Sequence, residues 1–398
     1  MSNLAKNILI IFMIIMMAVT AFLAGYFAND FMRYGTLPGT ASAAPQDFAL
    51  LSEAWQWVEL SYLGEIPPPQ RIAYGAIRGA LAELGDPYTL FVEPPAREQE
   101  RENLRGNFGG IGATLSRNEA NELILEPIPG NPAEAAGILP GDVLLAVDGV
   151  PITAEMPVGD VVELIKGEKG TLVTLTVRHP GQSDEVDIAI ERDDILIPSV
   201  SYRLLDVDPT IGYIQLTRFS GESGQEVHDA ILDLQAQGAE KLILDLRHNP
   251  GGLLDASVAV ADHFLSDVPV LYQQNKGEEE KVFMAAPEAV AGNMPLVLLV
   301  DGGTASSAEI VAGALQDHGR AVLIGSPTYG KGSVQLVYDL SDGSSVHVTS
   351  SRWFTPNRHQ IDQQGLQPDI VVEVTQEAID AGRDDVLSRA IDYLQNGN

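Results

Sequence analysis

Leu296-Val297-Leu298-Leu299-Val300-Asp301-Gly302-Gly303-Thr304-Ala305-Ser306-Ser307-Ala308-Glu309 is the stretch that decides the fold. Its apolar run does not alternate, as expected of a strand buried on both faces in a parallel sheet covered by helices. The glycine pair permits a tight turn, and Ser306-x-x-Glu309 has the pattern of a helix start. The same succession recurs outward. Strands are expected at 211–216, 241–246 and 322–324, and helices at 224–236, 256–264 and 306–316. Segments 333–337 and 344–349 read as an antiparallel pair and 385–394 as a terminal helix. The expected core is an α/β fold, a mostly parallel sheet flanked by helices.

Upstream the texture changes. Between 106 and 192, short β-rich runs (111–115, 123–127, 143–147, 172–177 and 186–190) surround two short helices near 132–136 and 158–165. This is the pattern of an inserted α+β domain. Before it, 48–63 and 72–84 carry apolar residues at helical spacing on either side of Pro67-Pro68-Pro69, an N-terminal helical segment. Ile8 to Gly25 is uncharged, with Thr20 its sole polar member. As a helix it spans about 27 Å, close to the hydrocarbon thickness of a bilayer. Lys6 precedes it, and Asp30 and Arg33 follow, which favours a retained transmembrane helix with the bulk outside the cytoplasm. A cleaved signal peptide is the rival reading, with Ala41-Ser42-Ala43 as its cleavage site. The expected organisation is anchor and linker 1–45, helical segment 46–105, inserted domain 106–192, core 193–376 and C-terminal helix 377–398.

Composition removes several functions. Acidic residues number 55 against 24 basic ones, a formal charge of -31 that repels nucleic-acid phosphates. Cysteine is absent, so thiol nucleophiles, thiolate metal sites and disulfides are excluded. Covalent catalysis here needs Ser, Thr, Lys or a carboxylate.

Ligand sites in open α/β sheets gather beyond the carboxyl ends of strands. Three such loops stand out: Arg247 to Gly252, Asp301 to Glu309 and Gly325 to Ser333. Ser306 has two readings. It is a helix cap whose hydroxyl is occupied, or a nucleophile beside helix N–H groups free to receive an oxyanion. Gly325-x-x-x-x-Gly330-Lys331 opens like a phosphate-binding loop. However, Gly332 stands where Ser or Thr is needed, and 333–337 reads as strand where a helix is needed. Lys331 is a solvated loop lysine or a close-packed one between Gly330 and Gly332. Burial depresses a lysine pKa, and a neutral lysine can take a serine proton. Gly251 and Gly252 offer unobstructed N–H groups for an oxyanion. A Ser-His-Asp arrangement through His248 is the alternative.

Taken together, Asp245 to Leu254, Gly303 to Ile310 and Gly330 to Gln335 resemble the three signature blocks of the C-terminal processing peptidases. Leu84-Gly85-Asp86-Pro87-Tyr88 and Gly365-Leu366-Gln367-Pro368-Asp369 extend the likeness over nearly everything from residue 48. The resemblance implies a serine endopeptidase with Ser306 as nucleophile, Lys331 as general base and Gln335 positioning that lysine. It implies an oxyanion hole from the N–H of Ser307 and of Gly251 or Gly252. Asp245, Arg247 and Glu309 would support the site. His248, Thr304 and Ser307 stand where Asn, Ser and Ala are frequent in the family, without removing a catalytic group. Residues 106–192 resemble the family's PDZ domain, with Gly109-Gly110-Ile111-Gly112 as its carboxylate-binding loop. The implied partners are exported polypeptides held by their C-termini and the membrane, with no metal or cofactor; a homo-oligomer is left open. The reading from another class is a catalytically silent PDZ adaptor that binds protein tails.

Overall fold

The computed structural model describes residues 48–397. The anchor and linker expected over 1–45 lie outside them. Among the described residues no helix is long and apolar enough to cross a membrane.

The chain falls into two compact units, one ending at Gly75 and one comprising Ala76–Asn398. The first holds the Phe48–Ser61 helix, on which Leu50, Trp57 and Leu60 are exposed. The boundary falls within the Pro69–Ala82 helix. Beyond it come β1 (Leu90–Val92) and a helix at Pro94–Arg105 that the sequence reading lacks. Eight of its twelve residues, PPAREQERENLR, are polar or charged and the apolar ones do not recur at helical spacing, so no apolar period marks it. Proline in its first turn starts it, and Gly106 at φ 84 ends it.

In the inserted domain, β2 (Asn107–Gly110) and β9 (Asp193–Leu196) pair where the chain enters and leaves. Between them β3 (Ala113–Arg117), β4 (Leu123–Pro127), β5 (Asp142–Val147), β7 (Leu172–Arg178) and β8 (Glu185–Glu191) form an antiparallel sheet in that order, with β6 (Val150–Pro151) beside β5. Leu125, Val161, Val173, Leu175 and Ile190 make its separate core.

The protein's second core is built on six strands in the order β10 (Val200–Leu205), β11 (Asp208–Leu216), β12 (Lys241–Asp245), β15 (Leu296–Val300), β16 (Val322–Gly325) and β19 (Ile370–Val371). All neighbours are parallel except the antiparallel β10–β11 pair. The unbroken apolar run of β15 follows from burial on both faces. Leu296, Leu298 and Val300 face the cluster made with the helices Ser223–Ala236, Leu254–Ala261 and Ser307–Asp317. Val297 and Leu299 face the Asp385–Asn396 helix through Val386 and Ala390. The expectation of one mostly parallel sheet is incomplete. β13 (Pro269–Asn275), β14 (Lys281–Met284), β17 (Ser333–Asp339), β18 (Ser345–Phe354) and β1 form a second, antiparallel sheet. Its β13 and β14 were not foreseen because polar residues such as Gln273, Gln274 and Lys281 interrupt their apolar runs.

Candidate active site

The loops after β12, β15 and β16 meet, and one buried carboxylate joins two of them. Glu309 is fully buried. Its Oε2 accepts from the N–H of Ser306 at 2.9 Å and of Lys331 at 2.9 Å. Its Oε1 accepts from the Gly330 N–H at 2.8 Å and from Thr328 Oγ1 at 2.5 Å. The helix-start glutamate is therefore a clamp between the Ser306 turn and the Lys331 loop. Ser306 itself sits at φ 54, ψ -117 at the mouth of the Ser307–Asp317 helix. A non-glycine residue held there stores about 1–3 kcal/mol, a cost met chiefly at functional sites. Ser306 and Glu309 form a reciprocal capping box, the Ser306 side chain facing the Glu309 N–H and the Glu309 carboxylate accepting from the Ser306 N–H.

Hydrogen bonding distinguishes the two glycines. The Gly251 N–H donates to Asn249 Oδ1 at 2.9 Å and is used up. The N–H groups of Gly252 and Ser307 make no hydrogen bond among the described residues. Both glycines have positive φ and no room for a side chain. A Cβ on Gly251 would lie 2.8 Å from Ser306 Cβ, and one on Gly252 2.0 Å from the Phe219 carbonyl oxygen. Asp301 joins the first two loops, with Oδ1 accepting from the N–H of His248 and of Gly303 at 2.9 Å each. Gly252→Ala must therefore displace the loop and its free N–H. If this N–H receives an oxyanion, kcat of the variant should fall roughly 10²- to 10³-fold, the scale of one lost donor. Steady-state turnover of an unfolded protein measures this, and unchanged kcat would deny Gly252 that role.

Ser306, Lys331, Gly252, Ser307 and Gln335 all line one cavity of about 580 Å³. Burial pushes the Lys331 ammonium below the ordinary lysine value, while the charges of Glu100 and Glu309 pull it back up. Its Nζ lies 5.3 Å from the ring centroid of Tyr88, from the Leu84 to Tyr88 segment. It makes no hydrogen bond or ion pair among the described residues, with Ser306 or any other. Trp353 Nε1 donates to the Lys331 carbonyl at 3.0 Å and fixes the backbone there. Gln335 sits at a register shift in β17, and its amide nitrogen donates to Ser333 Oγ at 2.9 Å, with no bond to Lys331.

Two expected supports lie elsewhere. Asp245 accepts from Tyr213 Oη at 2.6 Å and from Arg247 Nη2 at 2.6 Å. Arg247 reaches on to Asp384 at 2.8 Å, and Asp384 caps the Asp385–Asn396 helix by accepting from the Leu387 N–H. Asp245 and Arg247 thus fasten the C-terminal helix, and neither lines the cavity. His248 pairs with Asp301 at 2.8 Å, but its side chain is 86% exposed and outside the cavity, so it is no base for Ser306. After Lys331 runs β17 and not a helix, which removes the phosphate-loop reading.

The sequence reading missed part of the wall. The Pro94–Arg105 helix supplies Glu100 and Leu104, β18 supplies His347 and Trp353, and Arg218 follows β11. Only Arg218 carried a signal, its place beyond the carboxyl end of a sheet strand. In the inserted domain Gly109 and Gly110 lie within β2, paired with Asp194 and Asp193, and not in a loop. Ile111 and Gly112 form the turn into β3, and their N–H groups make no hydrogen bond among the described residues. β3 is an edge strand with the Val158–Ile165 helix beside it.

The profile of Peptidase family S41 matches residues 210–372, and a PDZ domain profile matches 123–179. A carboxyl-terminal-processing protease of Synechocystis sp. is 36% identical over 382 residues, covering 90% of this chain and 89% of that protein. The carboxy-terminal processing protease CtpA of Bacillus subtilis is 35% identical over 335 residues, with 84% and 71% covered. The solved photosystem II D1 C-terminal processing protease is 31% identical, with 82% of this chain and 92% of that one covered and a TM-score of 0.46.

Proposed function

The chain belongs to peptidase family S41, among its carboxyl-terminal-processing proteases, and on that premise we propose that Ser306 attacks the scissile carbonyl of a polypeptide with neutral Lys331 as its base. The observation that carries this reading is the Glu309 clamp. One buried carboxylate holds the backbone of both residues, which places the Ser306 hydroxyl and an unpaired amine on the lining of one cavity. Lys331 turns its flexible stem from Tyr88 to Ser306 and takes the Oγ proton. The N–H groups of Gly252 and Ser307 receive the oxyanion. The lysine then gives its proton to the leaving amine, and water releases the acyl group by the same route in reverse. Gln335 supports Lys331 only as part of the cavity wall.

The inserted domain captures the substrate's C-terminus. A peptide adds to the free edge of β3 against the Val158–Ile165 helix, with its carboxylate on the N–H groups of Ile111 and Gly112. The substrates are exported proteins cut near their C-termini, and residues 8–25 anchor the enzyme with its catalytic part outside the cytoplasm. A reporter fused after Asn398 that works only inside the cytoplasm would refute that orientation.

The base assignment has a signed pH consequence. Below the pKa of Lys331 the neutral fraction rises tenfold per pH unit, so kcat/KM should climb from mildly acidic to alkaline pH and then level off. Glu100 holds the proton on Lys331. Glu100→Gln removes that charge and should shift the profile to lower pH. Initial rates on an unfolded protein test both statements. A flat profile contradicts the lysine base, and an unmoved one in Glu100→Gln contradicts the coupling.

A further inference from the structure

We propose that Arg218 is a specificity-determining residue that receives an Asp or Glu side-chain carboxylate of the bound polypeptide. The proposal rests on the protease reading above. Arg218 follows β11 at the carboxyl edge of the sheet. The next residue is zipped onto the oxyanion loop: the Phe219 N–H donates to the Gly251 carbonyl, and the Leu253 N–H donates to the Phe219 carbonyl, each at 2.9 Å. Arg218 therefore adjoins the segment that presents the Gly252 donor, and its side chain lines the cavity of Ser306 and Lys331.

The guanidinium is under-used. Nη2 donates to the Ile197 carbonyl, its sole acceptor among the described residues. Nε is buried without any partner. No ion pair forms. Glu226, the acid that acts on Arg218 from a distance, spends its Oε2 on the N–H and hydroxyl of Ser199 and the N–H of Val200. Burial draws the guanidinium below the ordinary arginine value, yet arginine stays charged at any working pH. Of the other charges on the cavity wall, Glu100 is matched by Arg97 at 2.9 Å and His347 at 3.2 Å, and Lys331 must be neutral to act. Arg218 is thus a fixed, unmatched cation in the substrate cavity of a chain with net charge -31. Nε is buried and Nη2 is bound to the Ile197 carbonyl, so the open donor is Nη1, which makes no hydrogen bond among the described residues. It can give a carboxylate a charge-assisted hydrogen bond. The distance from Arg218 to Ser306 would then set how far from that carboxylate the chain is cut.

The test uses the full chain and one mixed peptide digest containing acidic peptides, their Asn or Gln counterparts, and C-terminally amidated copies, with cleavage sites read by mass spectrometry. The wild type should favour sites at one fixed spacing from a carboxylate by about 10- to 100-fold in kcat/KM, the scale of a charge-assisted hydrogen-bonded pair. Arg218→Gln should bring that ratio to within about threefold of unity while neutral sites are still cut, with Arg218→Lys between. A ratio within one digest does not depend on how much of the variant has folded. Loss of the preference on Asp→Asn or Glu→Gln in the peptides, with amidated copies cut at the same ratio, supports the side-chain role, and loss on amidation alone overturns it. An acid preference unchanged in Arg218→Gln, or absent from the wild type, overturns the role of Arg218 alone. If the wild type shows no Ser306-dependent cleavage, the protease reading falls and this proposal with it.

Discussion

Ser306→Ala is expected to lower kcat/KM by about 10⁴- to 10⁶-fold, and Lys331→Ala by a comparable factor, because nucleophile and base act as one unit and their losses do not add. The double variant should be no slower than either single one. Lys331→Arg should not rescue, since a guanidinium cannot become neutral to take the proton. Stability should move differently from activity. Ser306 is held at φ 54, so Ser306→Gly relieves the backbone and should raise the melting temperature while abolishing turnover. Initial rates on an unfolded protein and a thermal melt suffice. More than a hundredth of wild-type activity in Ser306→Ala would remove the nucleophile assignment. A lower melting temperature in Ser306→Gly would deny the strain.

Glu309 carries the second large effect, and on both counts at once. Glu309→Ala strands four donors in a buried place: the N–H groups of Ser306, Gly330 and Lys331 and the hydroxyl of Thr328. Each unpartnered donor costs about 1–3 kcal/mol, although local relaxation and water recover part of it. A loss of at least about 4 kcal/mol is expected from denaturant midpoints, with kcat down by more than about 10²-fold as the two loops part. Glu309→Gln separates shape from hydrogen bonding. Its NH₂ must face either the Ser306 and Lys331 N–H groups or the Thr328 and Gly330 donors, so one side clashes donor on donor. A near-isosteric change should still cost about 2–3 kcal/mol. Wild-type stability and rate in Glu309→Gln would mean that the clamp does not hold the site together.

The amount of this site legible in the sequence follows from how far each relation reaches along the chain. The Ser306 turn was readable because its parts are neighbours: an apolar strand, two glycines and a helix start within one stretch. Its alternative, the helix cap, was equally local, and in the structure the capping box and the strained backbone of Ser306 occur together. The Pro94–Arg105 helix was missed because a polar segment has no period to read, and its place on the cavity wall depends on distant partners such as Asp339. Asp245 and Arg247 were expected only as supports of the site, because their motif lies beside Gly251 and Gly252; their tie to Asp384, far along the chain, had no local signal.

The pattern of residues by itself determined the alternation of strand and helix, the separate inserted domain, the exclusion of thiol and nucleic-acid chemistry, and the candidates Ser306 and Lys331. Those are decided by periodicity, turn chemistry and composition, which act over a few residues. Tertiary structure alone decided which glycine keeps a free N–H, that Glu309 binds both the Ser306 and the Lys331 loop, and that Arg218 lines the cavity without a counter-charge. A donor has one hydrogen to give, and which acceptor takes it depends on groups brought close only when distant segments pack.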